Sequence, residues 1–285
     1  MTITDIAARR GAKVVNANGI DIAYTEVGDG PPLVLLHGAL ISGGPAWAGF
    51  PVAYVDHMET LGKHFRVIAP DTRGSGATVH PGGPATFDVL ADDVIALIEA
   101  LGLDRPLVAG FSEGGATATI VSIRRSDLVG AVVNHAGFDI FDPDAPAHHM
   151  LRPIFGGHPE ATAADPDAAE RAFQSMPPMA AVFATMQADY DDAQGEGHWR
   201  AYLGQFFDRA ATLLGYSVEN FAAITAPTLI LTGDRDMFCS VEMACATYRA
   251  VATGELGIVP NNGHEISPAA IELMTDFLFR HSARP

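Results

Sequence analysis

The chain has 285 residues, 48% hydrophobic and 18% charged, which supplies apolar side chain for one buried core carrying an insertion. Its 17 Lys+Arg stand against 34 Asp+Glu, a formal net charge of −17. A surface that acidic repels phosphate backbones and anionic lipid, so neither a nucleic-acid nor a membrane partner is expected.

No stretch approaches the ~20 apolar residues of a membrane-crossing helix. The opening residues Met1–Gly11 lack the apolar centre of a secretory signal, which makes cytoplasmic residence the expectation. The two cysteines, Cys239 and Cys245, have no second Cys pair or His-x-x-x-His partner. They give neither a disulfide framework nor a zinc site and read as ordinary thiols on one helix. Composition is silent on oligomeric state.

In chain order, short apolar runs alternate with helical stretches, the pattern of a mostly parallel sheet covered by helices. Lys13–Ala17 and Ile20–Glu26 read as paired strands turning at Asn16–Gly19. Leu33–Leu36 is a continuous apolar run ending in His37-Gly38, and Phe65–Ala69 is the next strand. Phe87–Leu101 carries apolar residues at helical spacing and stops at Gly102. Pro106–Ala109 is a buried strand, followed by Gly110–Gly114 and a helix to about Arg124, then the strand Val129–Asn134.

Between about Asp139 and Ala223 the rhythm breaks and helices are favoured, at Ala168–Gln174, Pro178–Tyr190 and Trp199–Leu214. Alternation resumes with Thr228–Thr232, Val241–Val251, Gly254–Val259 and a last helix Pro268–His281. The expected organisation is an α/β core of residues 1–138 and 224–285 with a helical cap, 139–223, inserted in it.

The strongest chemical signal is Gly110-Phe111-Ser112-Glu113-Gly114, a G-x-S-x-G between a buried strand and a helix. A sharp strand-to-helix turn strains the serine backbone, and glycines two residues either side remove the collision. Ser112 then stands at a helix N-terminus, where free N–H groups favour developing negative charge. A serine hydroxyl needs a base to take its proton, and an imidazole has the right pKa. Of the 11 histidines, His264 lies in the turn-rich loop Pro260–His264 after the last strand.

A carboxylate should orient that imidazole. The loop after Thr228–Thr232 reads Gly233-Asp234-Arg235-Asp236. Asp236 is the expected acid, Asp234 the alternative and Asp139 a third candidate, by the chain order Ser…Asp…His. Two backbone N–H donors must face the developing oxyanion. Glu113, after the nucleophile, and Ala39, in the loop after Leu33–Leu36, are the candidates. His37 reads as a structural brace for that loop.

Rival motifs are weak. Gly28-Asp-Gly30 and Gly43-Gly44 lack the spacing and lysine of a nucleotide loop. His148, His149, His158 and His198 form no H-E-x-x-H, and no metal is expected.

Taken together, His37-Gly38, Asp71–Gly76, Gly110–Gly115, Gly233–Asp236 and Gly263-His264 fall in the order and spacing of the α/β-hydrolase superfamily, which the chain resembles over nearly its whole length. That resemblance implies an eight-stranded sheet, no cofactor and an acyl-enzyme on Ser112. Locally, Gly-Phe-Ser-Glu-Gly-Gly is most similar to the esterase, non-haem perhydrolase and valacyclovir-hydrolase-like branches. The last implies that Glu113 could meet a substrate amine; a helix-capping or solvent-facing Glu113 is the plainer reading. Serine at the nucleophile position sets aside haloalkane dehalogenases and most epoxide hydrolases.

The expected substrate is a carboxylic ester or lactone of medium size and mainly apolar character. The expectation rests on the Met- and Phe-rich insertion: Met150, Leu151, Ile154, Phe155, Phe173, Met176, Met179, Val182, Phe183 and Met186. Phe183 and Met186, with Trp47, Phe50 and Phe111 from the core, are the candidate pocket wall. Carbon–carbon hydrolysis of a vinylogous diketone, cofactor-free perhydrolysis and a small-molecule receptor role are the alternatives on the same fold.

Overall fold

The computed structural model describes residues 3–137, 165–175, 177–211, 216 and 218–282. Asp139, the histidines at 148, 149 and 158, and Met150, Leu151, Ile154, Phe155 and Met176 lie outside the described residues, as does the side chain of Met179.

Eight strands form one sheet: β1 Lys13–Ala17, β2 Ile20–Val27, β3 Pro32–Leu36, β4 Arg66–Pro70, β5 Leu107–Phe111, β6 Ala131–His135, β7 Thr228–Gly233 and β8 Gly254–Val259. Their spatial order is β1-β2-β4-β3-β5-β6-β7-β8. The pairs β1–β2 and β2–β4 are antiparallel and the remaining pairs parallel. The central strands β5, β6 and β7 are buried at every position, because helices cover both faces. This agrees with the α/β-hydrolase arrangement expected from the sequence.

Helices are α1 Ile3–Arg9, α2 Met58–Gly62, α3 Phe87–Ala100, α4 Glu113–Arg125, α5 Pro166–Gln174, α6 Pro177–Gln194, α7 His198–Ala211, α8 Val241–Ala250 and α9 Pro268–His281. Local chemistry sets several boundaries. Thr86 caps α3 by accepting from Val89 N–H, and Ser267 caps α9 with Pro268 at its first turn. Among the described residues no helix is long and apolar enough to cross a membrane.

The helices α5, α6 and α7 fall between β6 and β7. They bury Phe173, Met186, Tyr190, Trp199, Tyr202 and Leu203 against Leu40, Ile41 and Trp47 of the loop after β3. A second apolar cluster is thereby built on the C-terminal edge of the sheet, separate from the main core.

Arg73, in the loop after β4, is buried and donates through Nε to Asp93 Oδ2 of α3 at 2.8 Å. Asn18 Nδ2 donates to Asp93 Oδ1 at 2.7 Å, so one carboxylate ties the β1–β2 turn, the β4 loop and α3 together. Asp93→Ala leaves a buried, uncompensated guanidinium and is expected to cost about 3–5 kcal/mol in urea unfolding. A loss under about 1 kcal/mol would mean the pair is effectively solvated.

Candidate active site

The C-terminal ends of the parallel strands bring the candidate residues to one edge, where open α/β sheets hold their ligands. β5 ends at Phe111, and the chain turns into α4 through Ser112, whose backbone stands at φ 53, ψ −119. That conformation is rare for a residue with a side chain and is kept because its surroundings over-determine it. Ser112 N–H donates to His135 O at 2.8 Å. A Cβ on Gly110 would lie 2.1 Å from Gly114 O, and one on Gly114 2.4 Å from Leu36 O, so no side chain fits at either.

His264 follows β8 through the turn at Asn261–Gly263. Its Nδ1 lies 2.9 Å from Asp236 Oδ2 and 3.1 Å from Oδ1. Asp236 Oδ1 also accepts Phe238 N–H at 2.8 Å and Cys239 N–H at 3.0 Å, which fixes the orientation of the carboxylate. An imidazole held through Nδ1–H leaves the Nε2 lone pair as a base. The ring is gripped by Phe111 and Phe238, at centroid distances of 4.7 and 4.8 Å. Because Phe111 precedes Ser112 directly, this contact seats the imidazole beside the Ser112 turn.

Asp234 is exposed and does not reach His264. It accepts Asn262 N–H at 3.2 Å, so it braces the histidine's loop. His135, which the sequence did not single out, is buried beside Phe111. Burial, with the neighbouring His264, holds its pKa down at about 3, so it stays neutral under the ring. A buried histidine at a strand end was the available signal.

The loop after β3 passes close to the nucleophile: a Cβ on Gly38 would sit 3.4 Å from Ser112 Cβ. Ala39 follows, half-buried, and Glu113 opens α4, so the two candidate N–H donors lie on the two segments that meet at Ser112. His37 Nε2 accepts Thr72 N–H at 3.0 Å while Nδ1 donates to Gly38 O at 2.7 Å, a brace within the loop. Asp71, buried, accepts Gly43 N–H and Ala77 N–H, each at 2.9 Å, and ties the same loop to β4.

Glu113 does not face solvent: its Oε2 accepts Arg209 Nε at 2.7 Å, both side chains are buried, and among the described residues its Oε1 has no hydrogen-bond partner. Burial opposes the charge of Arg209, but the Glu113 carboxylate and the Tyr202 hydroxyl beside it hold its pKa above the ordinary value. Arg209 also donates to Ala85 O at 3.1 Å. The partner sits on α7, 96 residues away, out of reach of any sequence pattern.

The candidate wall residues are all packed against other side chains. Trp47 is fully buried and donates from Nε1 to Asp189 at 3.1 Å; Phe111 supports His264; Met186 is buried among the inserted helices. Phe183 is half-buried, 5.0 Å from the Trp199 ring and 5.8 Å from Phe173, and Phe50 packs edge-on against Trp47 at 5.2 Å. The cysteines do not share a helix: Cys239 precedes α8 and is buried, its thiol donating to Ala136 O.

Asp236, Cys239 and His264 have donor atoms within 4.8 Å of one another and, among the described residues, are the cluster able to hold a metal. Their donors are already engaged: the carboxylate with the imidazole and two N–H groups, the thiol with a carbonyl.

A family model described as the alpha/beta hydrolase family matches residues 33–272. A 2-hydroxy-6-oxo-6-(2'-aminophenyl)hexa-2,4-dienoic acid hydrolase of Metapseudomonas resinovorans is 29% identical, over 93% of this chain and 87% of its own. A 2-hydroxy-6-oxo-2,4-heptadienoate hydrolase of Pseudomonas putida is 28% identical, over 97% of this chain and 99% of its own. The crystal structure of a serine hydrolase involved in carbazole degradation superposes with a TM-score of 0.68 at 26% identity, over 94% of this chain and 98% of that one. With its sheet order, its strained serine turn and a family match over most of its length, this chain belongs to the alpha/beta hydrolase family.

Proposed function

We propose that the protein hydrolyses a carboxylic ester or lactone of medium size and mainly apolar character through an acyl-enzyme on Ser112. The observation that carries the mechanism is the buried Asp236–His264 pair joined through Phe111 to the strained turn at Ser112. His264 Nε2 takes the Ser112 proton as Oγ attacks the carbonyl, and Asp236 stabilises the imidazolium. The N–H groups of Glu113 and Ala39 take the oxyanion. The leaving alcohol departs with the proton from His264, and water activated by the same base releases the acid.

Carbon–carbon hydrolysis is the second reading, favoured by the two dienoate hydrolases that resemble this chain over nearly all of their length. Such dienoates carry a carboxylate, which needs a cation in the pocket. Among the described residues, the buried Arg209 at the head of α4 is neutralised by Glu113, and this supports the uncharged ester or lactone. The same neutralisation argues against amine recognition by Glu113.

Turnover of p-nitrophenyl butyrate should fall at least about 10⁴-fold in Ser112→Ala and about 10³–10⁴-fold in Asp236→Asn. Asp234→Asn should leave it near wild type. Full activity in Ser112→Ala, or a collapse confined to Asp234→Asn, would remove the assignment.

A matched pair of esters, one with an α-amino group and one without, should show kcat/KM values within about tenfold of each other. A preference beyond about a hundredfold for the amine would mean the Glu113 charge is available to substrate. A ring-cleavage dienoate turned over faster than every ester in a chain-length series would establish the second reading instead.

A further inference from the structure

The loop after β3 is fastened mainly by side chains of the inserted helices. Leu40 N–H donates to Tyr202 Oη of α7 at 3.0 Å. Tyr190 Oη of α6 donates to Ile41 O at 3.4 Å. Asp189 Oδ2, also on α6, accepts Ser42 Oγ at 2.8 Å and Trp47 Nε1 at 3.1 Å. From the sheet side the loop has the Asp71 bond to Gly43 N–H and, at its start, the His37 bond to Thr72 N–H.

Leu40 itself stands at φ 69, in the left-handed region that a γ-branched side chain enters only under constraint. Its amide is the peptide plane directly after Ala39, whose N–H is the expected oxyanion donor. Tyr202 meets the opposite segment too: the hydroxyl lies against Arg209, which carries the Glu113 carboxylate at the start of α4. One cap-borne hydroxyl therefore reaches the peptide next to the Ala39 donor and the guanidinium that holds the Glu113 side chain.

We propose, on the hydrolase reading above, that Tyr202 is a positioning residue for catalysis: it locks the Ala39–Leu40 peptide so that the oxyanion hole is assembled only when the inserted helices are seated. The hydroxyl suits that role. Burial and the nearby Glu113 carboxylate push it up to about 12, so it remains a neutral group that accepts the Leu40 N–H across the working pH range. Without that oxygen, Leu40 N–H is buried and unpaired, and the left-handed turn loses its fixing bond. The Ala39 donor then drifts from the place where the oxyanion forms. Substrate binding in the ground state does not depend on that donor, so the cost falls on the chemical step.

The test is Tyr202→Phe, which keeps the ring and removes one oxygen, with Tyr216→Phe as the control. Tyr216 Oη binds Asp88 on the outer surface and touches no part of the loop. Three quantities are read for wild type and variants: kcat and KM for p-nitrophenyl butyrate, the rate at which a fluorophosphonate labels Ser112, and the thermal midpoint. For Tyr202→Phe the expected result is a kcat about 10- to 100-fold lower with KM within about twofold, and labelling slowed in parallel. Its melting midpoint stays close to wild type, and Tyr216→Phe is unchanged in all three.

If Tyr202→Phe does not fold, Ser42→Ala removes another tie between loop and α6 without touching the aromatic cluster. It should lower kcat and labelling about three- to tenfold at constant KM. Labelling and kcat within about twofold of wild type in the folded variants would overturn the role of Tyr202 while leaving the hydrolase reading intact. So would a change in KM or melting midpoint alone. A wild-type protein that the fluorophosphonate does not label at Ser112 would overturn both.

Discussion

Everything at this edge of the sheet is arranged around one backbone conformation, the φ 53, ψ −119 turn at Ser112. Such a turn costs roughly 1–3 kcal/mol, and it survives only where its neighbours leave no alternative. Three approaches show how little room there is. A Cβ on Gly110 would overlap Gly114 O, one on Gly114 would overlap both Leu36 O and His37 O, and one on Gly137 would overlap Ser112 O. The turn is thus wedged between β3, β5 and the end of β6. Its amide is pinned to His135 O, and its strain is held by the fully buried centre of the sheet.

The charge distribution has the same logic. A chain with a net charge of −17 must keep its carboxylates apart or satisfied. The buried ones near the site are each matched by a different device. Asp236 faces an imidazole and two backbone N–H groups. Asp71 takes two backbone N–H groups against a burial cost that pushes its pKa up. Asp189 is met by Arg10, Ser42 and Trp47, and Glu113 by Arg209. Only Asp236 is opposed by a group whose charge changes during the proposed reaction. The others are permanent pairs, so the site can alter its charge at one position without disturbing its frame.

How much of this was legible in the sequence follows from the distance over which each feature is specified. Gly110–Gly115 and Gly233–Asp236 act within a few residues, so their types and spacing could be read directly. Buried strands such as Leu107–Phe111 announce themselves by an unbroken apolar run. That Asp236 lies near His264 could be anticipated from chain order, although the work of Asp234, holding Asn262 across 28 positions, was not readable. Features made by a partner far along the chain were misread. Glu113 looked free because Arg209 lies on a helix whose docking no local pattern encodes. Trp47 and Met186 looked like pocket wall because an apolar side chain carries no mark of whether it faces a ligand or another helix. The short helix α1 was missed for a related reason: its Ile6 and Ala7 are buried only through contacts that the tertiary fold supplies.

Register is what converts these local devices into a site. Leu36 pairs with Gly110, Phe111 with His135, His135 with Leu231, and Gly233 with Val259. Each pairing lies within a few residues of a candidate site position: the Ala39 loop after β3, Ser112 after β5, Asp236 after β7 and His264 after β8. Because side chains alternate across a strand, a slip of one residue in any ladder would turn a buried row toward the wrong face. The same slip would displace the group at that strand's end by about 3.3 Å. That exceeds the tolerance of a hydrogen bond such as the 2.9 Å contact between His264 and Asp236. Stability and site geometry are therefore constrained by the same ladders. The inserted helices stand outside those ladders: they join the core through side-chain bonds to the loops after β3 and β4, through Arg10 with Asp189, and through the Arg209–Glu113 ion pair at the head of α4. No ladder register fixes them, so their placement over the serine, histidine and aspartate depends on those side-chain contacts alone.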